Sequence, residues 1–207
     1  MNRLILIRHG ETLDNLRGVA QGWRDSALSP QGETQVAAVA GRLREVGASS
    51  LWCSTLPRAR TTAEAISREI GLEPKVLDDL KEMNCGDWEG VSFLDVRRDH
   101  PELYRRWASD PHEPCPGGES FADVRDRMER AIEQIRKAEN GSGGTAAVVS
   151  HGTAIRVAAT SLLDLPLDAA RRLAQDNAAL NIFEWRAERW VLKTWNDSTH
   201  CSDLDGK

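Results

Sequence analysis

Two short apolar runs stop on the same pair of residues. Residues 4–7 lead through Arg8 into His9 and Gly10, and residues 146–149 lead through Ser150 into His151 and Gly152. Each run is too short for a helix and ends at a glycine, so each reads as a buried strand. Helix-periodic stretches lie around them. In residues 30–46 Pro30 suits a first turn, and Val36, Val39, Ala40 and Leu43 share one face. Residues 49–54 read as a strand, and Pro57 opens a helix carrying Ala63, Ile66 and Ile70 that Gly71 stops. Residues 75–78 read as a short strand. In residues 120–138 Phe121, Val124, Met128, Ile132 and Ile135 step by three or four along a helix. A turn at 140–144, a helix at 153–163 and a hairpin of 180–186 with 190–195 follow. Strands alternating with helices imply an α/β fold, a mostly parallel central sheet covered on both faces as a three-layer αβα sandwich.

The chain has 207 residues, which suits one domain over 1–195 followed by a polar tail at 196–207 expected to fray. Residues 91–118, with Pro101, Pro111, Pro114 and Pro116, break the alternation and read as an excursion from the sheet, a candidate lid. Apolar residues at 40% and charged residues at 29% suit a globular chain. A net charge of -5 argues against nucleic-acid or anionic-membrane partners. The opening apolar run falls short of the roughly 7–15 residues of a signal peptide and the about 20 of a spanning helix, so a cytoplasmic location is expected. Cys53, Cys85, Cys115 and Cys201 show no metal spacing and read as free thiols of a reducing compartment.

In open α/β sheets ligands bind beyond the carboxyl ends of the strands, where His9 and His151 both fall. A single histidine there is more often a hydrogen-bonded turn residue. Two, together with Arg8, point to a site. Gly152 and Thr153 open a helix whose free N–H groups and dipole favour an anion. Arg58 stands at the start of another helix, where the dipole disfavours a cation, so it reads as reaching for an anion; Arg60 is an alternative for that role. Arg8, Arg58, His9 and His151 would form a cationic pocket matched to phosphate oxygens. A metal held by the histidine pair is the competing reading. Arg8 counts against it through repulsion, and no third ligand is conspicuous.

Several motifs occur in order: R-H-G-E-T-x-x-N at 8–15, Q-G-x-x-D-S-x-L-S-x-x-G at 21–32 and S-x-L-x-R-A-x-x-T-A at 54–63. L-x-E-x-x-x-G-x-W-E-G at 80–90, P-G-G-E-S at 116–120 and S-H-G at 150–152 complete the set. Together they resemble the histidine phosphatase superfamily, the phosphoglycerate-mutase-like group. The resemblance implies that His9 is the nucleophile and becomes a phosphohistidine. Arg8, Arg58 and His151 would bind the phosphoryl oxygens, Asn15 would add a hydrogen bond, and Gln21 would lie near the substrate. Glu82 would protonate the leaving oxygen and then activate water, although on position alone an acidic residue in this stretch is usually solvated.

The mutases of this family carry E-R-x-Y-G where this chain reads K-E-M-N-C-G, and a longer insertion follows in them. The departure resembles the phosphatase branch. A metal-independent phosphomonoester phosphatase acting on a small soluble metabolite, with no cofactor and a homodimer as a candidate assembly, is therefore the leading expectation. A phosphoglycerate mutase and a non-catalytic phospholigand-binding module are the alternatives. Within the excursion, Arg97, Arg98, Arg105 and Arg106 could recognise a second anionic group, while an exposed helix with ordinary charges is the plainer reading.

Overall fold

The computed structural model describes residues 1–139 and 143–204. Its strands are β1 (Arg3–Arg8), β2 (Ser50–Ser54), β3 (Pro74–Leu77), β4 (Thr145–Ser150), β5 (Leu180–Arg186) and β6 (Arg189–Asp197). Its helices are α1 (Leu13–Arg17), α2 (Pro30–Val46), α3 (Pro57–Ile70), α4 (Phe93–Asp99), α5 (Pro101–Ser109), α6 (Phe121–Ala138) and α7 (Gly152–Leu162). The strands form one sheet in the order β3-β2-β4-β1-β5-β6. The first four are mutually parallel, and β5 and β6 add an antiparallel hairpin at one side.

Alternation along each strand divides the core. Leu4, Leu6, Ala146 and Val148 pack with α6, α7 and the buried part of the 91–118 segment. Ile5, Ile7, Ala147 and Val149 face the other way, against α2 and α3. Because successive strand side chains point to opposite faces, an unbroken apolar run feeds two cores at once. The three-layer α/β expectation holds.

Local chemistry sets the helix starts. Ser29 accepts a hydrogen bond from the Gly32 N–H at 2.9 Å, with Pro30 in the first turn of α2. Ser120 and Asp123 close a reciprocal capping box at α6. The third strand ends one residue earlier than expected, because Asp78 starts a short 3-10 turn whose carbonyl accepts from the Lys81 N–H. The 91–118 segment forms α4 and α5, anchored by buried Val96, Trp107 and Cys115. Phe93 and Trp107 stack there at 5.2 Å.

The tail differs from expectation. β6 continues to Asp197, and Thr199–Leu204 forms a 3-10 turn in which Cys201 is buried against the α2 and α3 face. The His200 ring lies 3.1 Å from the Ala178 carbonyl, so residues 196–202 are docked rather than frayed. Of the turn expected at 140–144, residues 140–142 lie outside the described residues.

Candidate active site

β1 and β4 are parallel neighbours in a register that pairs Arg8 with Ser150. One residue further, the chain delivers His9 and His151 side by side, their rings 5.1 Å apart. The glycines that follow serve different ends. A Cβ on Gly10 would stand 2.6 Å from Val36 Cγ2 and 2.7 Å from the Gly32 carbonyl oxygen, so this glycine admits α2 against the strand end. A Cβ on Gly152 would instead meet the Arg8 guanidinium, at 3.4 Å from Nε.

The His9 Nδ1 lies 2.7 Å from the Gly10 carbonyl oxygen. A carbonyl only accepts, so Nδ1 carries the proton and Nε2 presents its lone pair. Arg58 Nε points its N–H at that lone pair from 3.3 Å. The rest of the Arg58 guanidinium donates to the Gly22 and Arg24 carbonyls, at 2.8 and 2.9 Å. Arg58 is thus clamped by the 21–25 loop with one edge turned to His9, and it is only 2% exposed. Burial, reinforced by Arg58 and Arg8, pushes the His9 pKa well below 6.5 and keeps the ring neutral.

His151 is fully buried, and neither of its ring nitrogens has a hydrogen-bond partner among the described residues. Burial and then Arg58 hold it neutral as well. An unpartnered buried imidazole beside the His9 ring is costly unless something binds there. Arg8 Nε is unpartnered too, while Arg8 Nη1 donates to the Gln175 carbonyl; burial lowers the Arg8 pKa to about 10.

The facing wall carries Glu82. Its Oε2 accepts from the Thr153 N–H at 3.0 Å, and its Oε1 accepts from the Ala154 and Met83 N–H groups at 3.1 and 2.8 Å. The carboxylate therefore takes the amides at the start of α7 that were expected to face an anion at Thr153. Behind it, the Glu82 carbonyl accepts from Trp23 Nε1 at 2.7 Å and from Arg127 Nη2 at 2.9 Å.

A cavity of about 140 Å³ opens over these groups, with Arg8, His9, Asn15, Gln21, Arg58, Glu82 and Thr153 in its lining. His151 and Gly152 are not among its lining residues. Asn15 uses its Oδ1 to accept from the Thr12 N–H at 3.1 Å and from Asn177 Nδ2 at 3.1 Å. That leaves its amide NH₂ to donate into the cavity. Gln21 has an unpartnered, buried Oε1 there. Among the described residues no cluster of three histidine, cysteine or carboxylate side chains could hold a metal.

Sequence reasoning missed several supports. Arg127 on α6 pairs with Glu119 at 2.9 Å and also donates to the Asp79, Lys81 and Glu82 carbonyls. Glu119 accepts from the Asn84 N–H as well. The P-G-G-E-S motif at 116–120 contained Glu119, but no local pattern singled out Arg127 as its partner. Asn177, which holds the His9 carbonyl at 3.1 Å, carried no signal either. Of the arginines at 97–106, Arg98, Arg105 and Arg106 pair with nearby carboxylates on the surface, which favours the plainer reading.

Comparison with known proteins agrees with this geometry. The sequence pattern of the histidine phosphatase superfamily (branch 1) matches residues 4–198. A bifunctional protein of Mycobacterium tuberculosis is 38% identical over 187 residues, covering 90% of this chain and 51% of that protein. The chain thus spans about half the length of that relative. A probable phosphoglycerate mutase, GpmB, of Erwinia tasmaniensis is 34% identical over 98% of this chain and 96% of its own. The structure of a mycobacterial glucosyl-3-phosphoglycerate phosphatase complexed with VO3 superposes with a TM-score of 0.87 at 30% identity. It covers 95% of this chain and 99% of its own. No helix among the described residues is long and apolar enough to cross a membrane.

Proposed function

Because the chain belongs to the histidine phosphatase superfamily, we propose that it hydrolyses a small phosphomonoester through phosphorylation of His9. The observation that carries this reading is the His9 ring itself. It is neutral, its Nδ1 proton is spent on the Gly10 carbonyl, and its Nε2 lone pair, at the cavity that His9 lines, is held by the Arg58 Nε N–H at 3.3 Å.

As the substrate enters, Arg58 Nε shifts its N–H from His9 to a phosphoryl oxygen, releasing the lone pair. Arg8, Arg58, His151 and the Asn15 amide hold the equatorial oxygens, and positioning with electrostatics supplies most of the acceleration. Nε2 forms a bond to phosphorus while the ester P–O bond breaks, and protonated Glu82 gives its proton to the leaving alkoxide. Water then attacks phosphorus, Glu82 takes its proton, the P–N bond breaks, and inorganic phosphate leaves. No metal or cofactor enters these steps. The corresponding cellular reading is a cytoplasmic enzyme with a small-molecule partner, neither nucleic acid nor membrane, and a homodimer as the assembly to check by light scattering.

His9→Ala is the direct test. It should abolish phosphate release from a broad phosphomonoester panel and abolish the acid-labile phosphate trapped on wild type, and wild-type turnover should survive excess chelator. Turnover by His9→Ala at the wild-type rate would refute the mechanism. The GpmB relative favours a second reading, a phosphoglycerate mutase. Interconversion of phosphoglycerates with a bisphosphate primer, faster than phosphate release, would establish it. A binding module without catalysis would release no phosphate from any panel member.

A further inference from the structure

One peptide unit of the 21–25 loop is held from both sides. The Gly22 carbonyl accepts from Arg58 Nη2 at 2.8 Å, and the Trp23 N–H donates to Glu89 Oε1 at 2.7 Å. Both groups belong to the same planar, trans peptide, so they point in opposite directions. Glu89 and Arg58 are thus the two ends of an ion pair with one peptide group between them. A carboxylate on the N–H polarises that group and makes its carbonyl a stronger acceptor for the guanidinium.

Arg58 is in need of such a partner. It is buried, and its hydrogen bonds run to His9 Nε2 and to the Gly22 and Arg24 carbonyls, none of them to a carboxylate. A buried charge without a counterion is costly. Burial lowers the Arg58 pKa, and Glu82, Asp25 and Glu89 oppose that shift. Glu82 spends its carboxylate oxygens on the Met83, Thr153 and Ala154 N–H groups, and Asp25 is exposed. Glu89 is the carboxylate that reaches the peptide Arg58 holds.

The residue at the hinge of this peptide is Gly22. Its φ is +55°, and a Cβ there would collide with the Glu89 carboxylate. Glycine is therefore required, and glycine leaves the peptide free to rotate unless bonds on both sides fix it. Rotation would turn the Gly22 carbonyl from Arg58 and the Trp23 N–H from Glu89, losing both bonds together. Backbone bonds from Ala20 to Val91 and from Gly90 to Ala20, at 2.9 and 2.7 Å, tie the start of the loop to the same segment without touching this peptide. Gly22 and Glu89 both fall in the motifs at 21–32 and 80–90, and the phosphatase steps use neither.

We propose that Glu89 is a positioning residue for Arg58: through the Gly22–Trp23 peptide it holds the guanidinium with its Nε edge turned to His9 and the cavity. That the anion Arg58 meets there is a substrate phosphoryl group rests on the phosphatase reading. The coupling of Glu89 to Arg58 does not.

The test is equilibrium binding of orthovanadate to wild type, Glu89→Ala and Glu89→Gln, each with Arg58 intact and with Arg58→Gln. With Arg58 intact, Glu89→Ala should bind about 10-fold more weakly or worse, the scale of one charge-assisted hydrogen bond. Glu89→Gln keeps an acceptor for the Trp23 N–H without the charge, and should fall between. With Arg58→Gln, neither change at residue 89 should weaken binding further, because a residue that acts through another has no effect once that other is gone. A general loss of structure would lower affinity in both backgrounds. Wild-type affinity in Glu89→Ala, or the same fold-loss in both backgrounds, overturns the proposal. If Glu89→Ala does not fold, Glu89→Gln decides: a loss seen only with Arg58 intact supports it, and no loss or an equal loss in both backgrounds overturns it. Vanadate binding needs no turnover. The expected pattern without phosphate release from any ester would sink the phosphatase reading and keep this one, and phosphate release with equal losses in both backgrounds would do the reverse.

Discussion

His9 and His151 end neighbouring strands in the same way and differ in their hydrogen bonds. His9 has one nitrogen committed to the Gly10 carbonyl and the other facing the Arg58 Nε N–H, whereas neither ring nitrogen of His151 has a hydrogen-bond partner among the described residues. Both share one electrostatic fate, since burial and the nearby arginines push both well below 6.5. In the unfolded chain each would take up a proton as the pH falls through about 6.5. Between the folded and unfolded values the unfolded state binds more protons, so stability is lost as the pH falls below about 6.5. Above that pH neither ring contributes a pH dependence. Each histidine should cost about 1.4 kcal/mol per pH unit in that window. Asp78, Asp123 and Asp197 are also lowered, but from 3.8, so their contributions are lost only at lower pH. Urea unfolding at about pH 7.5 and about pH 5.5 should show the loss in wild type, and His151→Asn should reduce its slope by one proton's worth. An equal slope in the two proteins would contradict the assignment.

Among the elements, α6 and the segment that precedes it hold Glu82 in place. Arg127 and Glu119 form a largely enclosed ion pair, with side chains 7% and 18% exposed, and Arg127 binds three carbonyls of the 79–82 turn. Removing one partner leaves a charge without its counterion, which typically costs about 3–5 kcal/mol. Arg127→Met should therefore destabilise the fold by that order in denaturant unfolding. It should also lower kcat more than it raises KM, because Glu82 loses its backing while the phosphate ligands stay. Glu119→Gln with Arg127→Met should be less destabilised than Arg127→Met alone. The contrast with what was legible in the sequence is physical. The apolar runs of β1 and β4 and the period of α6 are local signals, and Arg8, His9, Arg58 and His151 followed from their positions at element ends. Helix α1 was not legible, because a capping box between Thr12 and Asn15 makes it over five residues with little periodicity. Arg127, Trp23 and Asn177 act on residues 45, 59 and 168 positions away, and no local pattern encodes such pairings.

At the scale of the whole molecule the strand order explains why distant segments meet. β4 lies between β1 and β2, so the loops after those three strands share one edge of the sheet. They bring His9, Arg58 and His151 together from three parts of the chain, and the 80–90 turn closes the fourth side. An anion held there, as the proposed function requires, would stabilise the native state alone. Linkage then predicts a gain of RT ln(1 + [L]/Kd), about 2.7 kcal/mol at a hundredfold excess over Kd. Inorganic phosphate or vanadate should raise Tm in a concentration-dependent way, and the shift should shrink as salt screens the site. Arg58→Gln removes the guanidinium edge facing His9 and should lose most of the ligand-dependent rise, whatever it does to the starting Tm. Arg105→Gln alters a surface pair with Glu102 and should keep the rise in full. Equal shifts in wild type and Arg58→Gln would mean that the anion binds elsewhere, and the convergence of strand ends would then lack the function assigned to it.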